Sequence, residues 1–277
     1  MHKLAQLLSA PDAEATSPGA PRHWWSEPLR PDQALWRQGM ADLRWSFARP
    51  WHWFSGVAVN LVLSVLFLVV VPLSRGHHQD WAVVVGSYFA VFILADVTTT
   101  NVLGADARRV AARLAGGVPA FRLLLIKNLT LLVVVGLPTM IATFVITVTS
   151  EADYRLATTL PAVMFPILTW LGVGNLVSVA LPVSPQPLRR RWAERRQLGR
   201  TVRWLVHLAL PYLLYLLVSP VGHLPALLRR LLRMLPQATP PRGWLLAGSG
   251  IGLWVLGTLL AVTLARWRPV ALDDLSP

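Results

Sequence analysis

Residues 129–148 read LTLLVVVGLPTMIATFVITV, an unbroken stretch without a charged side chain. Crossing ~30 Å of hydrocarbon at a rise of 1.5 Å per residue takes about 20 apolar residues, so this stretch has the length of one membrane span. It is apolar on every side, whereas a helix on a soluble core carries a single apolar stripe. Working outward by the same length criterion, earlier candidates are Phe54 to Leu73 and the shorter Trp81 to Val97, with Asp96 near its exit. Later ones are Leu156 to Leu181, which carries Pro161 and Pro166 in a charge-free run, then Trp204 to Val221 and Trp244 to Ala265. Trp51, Trp53, Trp81, Trp204, Trp244 and Trp267 stand at span edges, where an amphipathic ring prefers the headgroup layer. The fold class expected is an all-α integral membrane protein with six transmembrane helices.

Composition agrees. Hydrophobic residues make up 54% of 277 positions and charged ones 14%, against roughly 25% charged in soluble domains. The 26 Lys and Arg outnumber the 13 Asp and Glu. In a soluble protein that surplus would point to nucleic acid; in a membrane protein it marks cytoplasmic loops. All but six of the 26 fall inside if both termini are cytoplasmic; Arg75, Arg155, Arg229, Arg230, Arg233 and Arg242 fall outside. Cysteine is absent, which excludes disulfides, thiolate metal sites and thiol nucleophiles.

Residues 1–30 are rich in Pro, Ala and Ser and read as a disordered cytoplasmic tail, too weakly apolar at their start for a signal peptide. From Pro31 and Asp32, Leu35, Trp36, Met40, Leu43 and Phe47 recur at helical spacing with Arg37, Arg44 and Arg49 between them. Such a helix lies in the membrane interface or packs on the bundle from the cytoplasm. Between Leu224 and Leu235 a second amphipathic stretch, with Arg229, Arg230 and Arg233, is too short to span and would rest on the outer face. Residues 269–277 form a short cytoplasmic tail.

The loop after the second span reads TNVLGADARRVAARLAGGVP from Thr100 to Pro119. Leu103, Ala107, Val110, Ala111 and Leu114 share one helical face, with Asp106, Arg109 and Arg113 on another. Gly116 and Gly117 stop the helix and Pro119 turns the chain. This is either a docking element or an ordinary solvated loop helix. Elsewhere Asp96 reads as a solvated or Arg-paired carboxylate, and His77-His78 as a loop pair without metal partners. Arg189 to Arg191, with Arg195, Arg196 and Arg200, reads as a binder of anionic lipid. Gly248 and Gly252 form a small-x-x-x-small pattern, which reads either as close helix packing or equally well as chance in a Gly-rich span. No Walker A, zinc-peptidase or Ser-His-Asp pattern is present, so no enzymatic activity is expected of the chain.

The motif Asn101-x-x-Gly104-x-Asp106, followed by Pro119 and Lys127-Asn128, and the exit Gly174-Asn175-x-x-Ser178-x-x-x-Pro182 resemble the permease subunit of an ABC-2 type exporter. The resemblance covers residues 31–268. It implies an elbow helix before the first span, an outer amphipathic helix between spans five and six, and a coupling helix from Gly104 to Leu114. Asn101, Gly104, Asp106, Arg109 and Arg113 would then couple to a separate cytoplasmic ATPase. It also implies a second permease copy or paralogue, lipid contacts and a bacterial plasma membrane location, with ATP and Mg held by the partner and no cofactor in this chain. The alternative is a membrane scaffold or assembly subunit that transports nothing. A secondary transporter is disfavoured, because no charge lies near a span midplane and no internal repeat is evident.

Overall fold

The computed structural model describes residues 34–48, 53–54, 57–63, 66, 81–94, 97–150, 155–183, 197–218, 230, 234 and 240–268. Among them every regular element is helical. In chain order these are α1 (Leu35–Ser46), α2 (Trp81–Leu94), α3 (Val97–Thr100), a 3₁₀ turn (Gly104–Asp106) and α4 (Ala107–Ala115). Then follow α5 (Ala120–Leu131), a π turn (Leu132–Gly136), α6 (Leu137–Ser150), α7 (Leu156–Ala180), α8 (Leu198–Val218) and α9 (Pro240–Trp267). Among the described residues, four helices are long and apolar enough to cross a membrane: Ala120–Thr149, Leu156–Ala180, Leu198–Val218 and Pro241–Trp267. Helix α2, at 14 residues, is shorter than a span. Of the first expected span, 57–63 is helical and much of the rest lies outside the described residues. So do both tails, Asp96, His77-His78, Arg189 to Arg191, and Leu224 to Leu235 apart from two positions.

The span first expected at Leu129 to Val148 begins instead at Ala120. Pro119, in extended backbone (φ −68°, ψ 144°), caps it. The helix crosses Pro138 without ending. Proline lacks an N–H and its ring crowds the carbonyl four residues back, and the wider π turn at 132–136 lies where that crowding falls. Beyond it Thr139, Thr143 and Thr147 are buried, each donating its hydroxyl to the carbonyl four residues earlier at 2.7–2.8 Å. Their polar atoms are thus satisfied inside their own helix, leaving the methyls to pack. Gly86 of α2 sits directly against Thr143 and Val163.

Helix α7 is the hub, with Val163, Phe165, Ile167, Trp170, Leu171 and Val177 all buried. Its most extensive neighbour is α9. The seam runs through Gly243, Gly250 and Gly257, seven residues apart, which face Thr158, Phe165 and Gly172. A Cβ on Gly250 would stand 3.0 Å from the Phe165 Cα, and one on Gly172 would stand 2.6 Å from the Leu253 carbonyl oxygen. Helices meet this closely only where side chains are absent. The small-residue pattern at Gly248 and Gly252 is not part of this seam, since among the described residues nothing lies within 4 Å of a Cβ built at either position. Helices turn about 100° per residue, so a two-residue shift moves the stripe to the far side.

Large apolar side chains cover the outside of the long helices, among them Leu137, Ile141 and Phe144, Leu213 and Leu216 on α8, and Leu256 and Leu259 on α9. Apolar patches of this extent are not sustained in water. A hydrocarbon solvent resolves them.

Candidate functional site

Helix α1 is inside out. Its buried residues are Gln38, Gly39, Asp42 and Ser46, while Leu35, Trp36, Met40 and Phe47 are exposed. In water this arrangement would be costly on both faces. At a membrane surface it is the stable one, with the apolar side in lipid and the polar side against protein. Gly39 permits the approach to α5, because a Cβ there would stand 3.1 Å from the Leu129 side chain.

Asp42 sits where α1, α4 and α5 converge. Its Oδ1 accepts from Lys127 Nζ at 2.8 Å and from Arg113 Nη1 at 3.4 Å. Its Oδ2 accepts from Thr130 Oγ1 at 3.2 Å. Asp106 closes the ring, with its Oδ2 at 3.0 Å from Lys127 Nζ and 3.3 Å from Arg109 Nη1. Trp45 lies one turn after Asp42, its ring 4.9 Å from the Arg109 guanidinium carbon and 4.7 Å from Lys127 Nζ. An aromatic face attracts cations electrostatically, which suits a cluster of three cations and two carboxylates. Burial alone would push the Asp42 carboxyl up, but Lys127, Arg113 and Arg109 together hold it below the usual carboxylate range. Burial pulls the Arg113 guanidinium down, against Asp42. Among the described residues, the buried Nη2 of Arg113 has no hydrogen-bond partner.

These positions correct the expectation that Asp106, Arg109 and Arg113 form an outward charged face. Asp106 and Arg113 are 5% and 6% exposed, and Arg109 keeps 23% of its side chain exposed. A carboxylate and two cations cannot be judged by helical spacing alone when a complementary carboxylate waits on another helix. Asp106 also belongs to the 3₁₀ turn rather than to the helix. The exposed side of α4 carries Arg108, Ala112 and Ala115, continuing into Gly116 and Gly117. Gly117 adopts φ +84°, a left-handed conformation that glycine takes without strain. The expected stop after the helix is therefore in place.

The two motifs that carried the resemblance meet in space. Asn101 Nδ2 donates to the Val183 carbonyl at 2.7 Å, and the Val183 N–H donates to Asn101 Oδ1 at 3.1 Å. The Leu103 N–H donates to Ser178 Oγ at 2.8 Å. Gly104 is pressed against the Asn101 side chain and Val183 O, with no room for a Cβ. Gly174 lies by Thr99 and Thr100, Asn175 donates to Thr258 Oγ1 at 2.8 Å, and Pro182 is buried. His207 joins the knot from α8, its Nδ1 2.7 Å from Leu181 O and its Nε2 3.4 Å from Thr100 Oγ1. Asn101, Gly104, Gly174, Asn175 and Ser178 thus fix how the helices join and present no exposed docking face.

Sequence reasoning passed over Asp42, Trp45, Thr130 and His207. Two signals were there. Gln38, Asp42 and Ser46 form a polar stripe at four-residue spacing, and Lys127 is one of only two lysines in an arginine-rich chain. A compact ammonium with three rotatable donors can serve two carboxylates at once, as Lys127 Nζ does for Asp42 and Asp106. Among the described residues no group of three or more His, Cys, Asp or Glu could hold a metal ion. No protein-family model matches the chain, and no curated protein or solved structure is detectably similar to it.

Proposed function

We propose that this chain is the transmembrane permease subunit of an ATP-driven exporter of ABC-2 type, multi-pass in a bacterial plasma membrane with both termini cytoplasmic. In this reading α4 docks on a separate ATPase subunit, which holds the ATP and Mg, and a second permease copy or paralogue completes the path. The observation that carries the reading is a short helix pinned from behind and bare in front. Arg113 and Asp106 tie its base to α1 and α5, sharp turns bound it, and Arg108, Ala112 and Ala115 face outward. A push on such an element moves the bundle instead of bending a loop. Small side chains let a partner's backbone approach closely, and Arg108 supplies one charge for an acidic contact. The long apolar helices and the inside-out α1 supply the membrane setting. The substrate would be an amphiphile such as a lipid-like, antibiotic or glycan molecule.

The test is mass spectrometry of the complex purified in mild detergent from wild type and from Arg108→Glu/Ala112→Trp. An ATPase bearing a Walker A lysine should accompany wild type and be reduced tenfold or more with the variant, since one decade corresponds to about 1.4 kcal/mol. Both substituted residues are exposed or at an exposed face, so folding should survive. Equal ATPase in both samples would refute docking through this face. No ATPase in either would favour the non-transporting scaffold.

A further inference from the structure

We propose that Asp42 is a positioning residue that locks the interfacial helix α1 to the α4 helix, so that the two move as one body. The inference concerns the mechanics of the proposed docking site. Its test needs no ATPase, so it can fail while the functional reading stands, and the reverse.

Three observations carry it. The first is that Asp42 is the acceptor common to Lys127, Arg113 and, at 4.0 Å, Arg109. Cations from two chain segments therefore converge on one carboxylate of a third. The second is that Trp45, from the same face of α1, lies over both Arg109 and Lys127, so α1 grips α4 and α5 by two side chains. The third is that, among the described residues, close backbone packing of α4 is sparse both against the long helices and against α1, which itself packs mainly on α5, so side chains tie α4 to α1. Its orientation depends instead on Val110, Ala107 and the inward Arg113, all buried. Removing the Asp42 charge would leave Arg113 and Lys127 buried, with the half-buried Arg109 beside them and Asp106 as the remaining carboxylate of the cluster. Buried cations without counter-charge recover solvation only by admitting water. A small, partly open pocket lined by Asp42, Trp45, Lys127 and Thr130 already gives water a foothold, and hydrating Arg113 as well requires α1 and α4 to part from α5. A lock that opens this way releases both helices together, and a simple anchor for α1 would release α1 alone.

The experiment is hydrogen exchange on the full chain in lipid nanodiscs. In Asp42→Asn, amides of α1 and α4 should exchange at least tenfold faster in concert, with α7 and α9 unchanged. Arg113→Gln should reciprocally speed exchange in α1, although residue 113 is not on it. Faster exchange confined to α1 in the first variant, or to α4 in the second, would overturn the proposal. A second measurement keeps it testable should the Asp42 variant not fold. The chain has no cysteine of its own, so spin labels at Met40→Cys and Ala112→Cys, both exposed sites, report the α1 to α4 distance in the otherwise native protein. One narrow distribution is expected; a broad or bimodal one would mean that the helices move independently.

Discussion

Replacing Asn101 with Ala separates a structural from a docking role for the first motif. The Asn101 amide satisfies both the N–H and the C=O of Val183, at 3.1 and 2.7 Å, and both residues are buried. Truncation leaves two backbone groups without these partners, each costing roughly 1–3 kcal/mol when water cannot replace the bond. A loss of about 2–6 kcal/mol is expected. Asn101→Asp keeps the acceptor for the Val183 N–H, but turns a second oxygen towards the Val183 carbonyl and buries a charge. It should be less stable than the Ala variant at neutral pH and recover as the carboxyl protonates. Gly104→Ala strikes the same knot, since its Cβ would stand 2.6 Å from Val183 O. The Asn101→Ala/Gly104→Ala pair should therefore be markedly non-additive. The assay is denaturant titration in mixed micelles followed by tryptophan fluorescence. Asn101→Ala within about 0.5 kcal/mol of wild type, the range of an uninvolved surface site, would refute the reasoning, and ATPase loss without destabilisation would make Asn101 a docking contact after all.

Two further outcomes follow from the packing and the charge cluster. Gly257→Leu should lower the apparent melting temperature strongly, because α9 lies on the Gly172 backbone there; overpacking of this kind costs about 1–3 kcal/mol or more. Gly248→Leu, at a position where no described residue lies within 4 Å, should leave melting nearly unchanged, and equal effects would mean that the seam runs elsewhere. The Asp42 pKa is lowered in the fold, so its stabilising contribution is complete above the ordinary carboxylate range and is lost as pH falls through the lowered value. Melting should thus show no Asp42-dependent change from about pH 5 to 8 and a steep loss below about pH 4, absent in Asp42→Asn; a transition near pH 6 that the variant removes would contradict the assignment.

Much of the fold was legible in the chain itself. Length and charge-free runs located the helix at 156–181 nearly as it stands at 156–180, and the far end of the one that runs from 120 to 149, because a bilayer demands both apolarity and length from a single continuous segment; its start was missed because Arg122 and Lys127 break the charge-free run. Gly116, Gly117 and Pro119 marked the turn beyond α4 for equally local reasons, backbone freedom in one case and a missing N–H in the other. Helix α1 was legible by its period too, and its apolar residues Leu35, Trp36, Met40 and Phe47 point away from the rest of the chain.

Which side each polar residue takes was decided only by tertiary structure. Periodicity places Asp106, Arg109 and Arg113 off the apolar face of their loop, and there it stops. Asp42 lies sixty-four positions before Asp106, and nothing local records that α1 brings it under α4 to turn those charges inward. Gly248 and Gly252 match a packing pattern as well as Gly243, Gly250 and Gly257 do; which set meets α7 depends on the rotation of α9, a property of the helix pair. Likewise Asn101 and Ser178 stand seventy-seven positions apart, and their shared role emerges only where α7 returns beside α3. Spans are set by each segment's own contact with its solvent, whereas charge pairs and seams belong to two segments at once, and their meeting is what the folded bundle supplies.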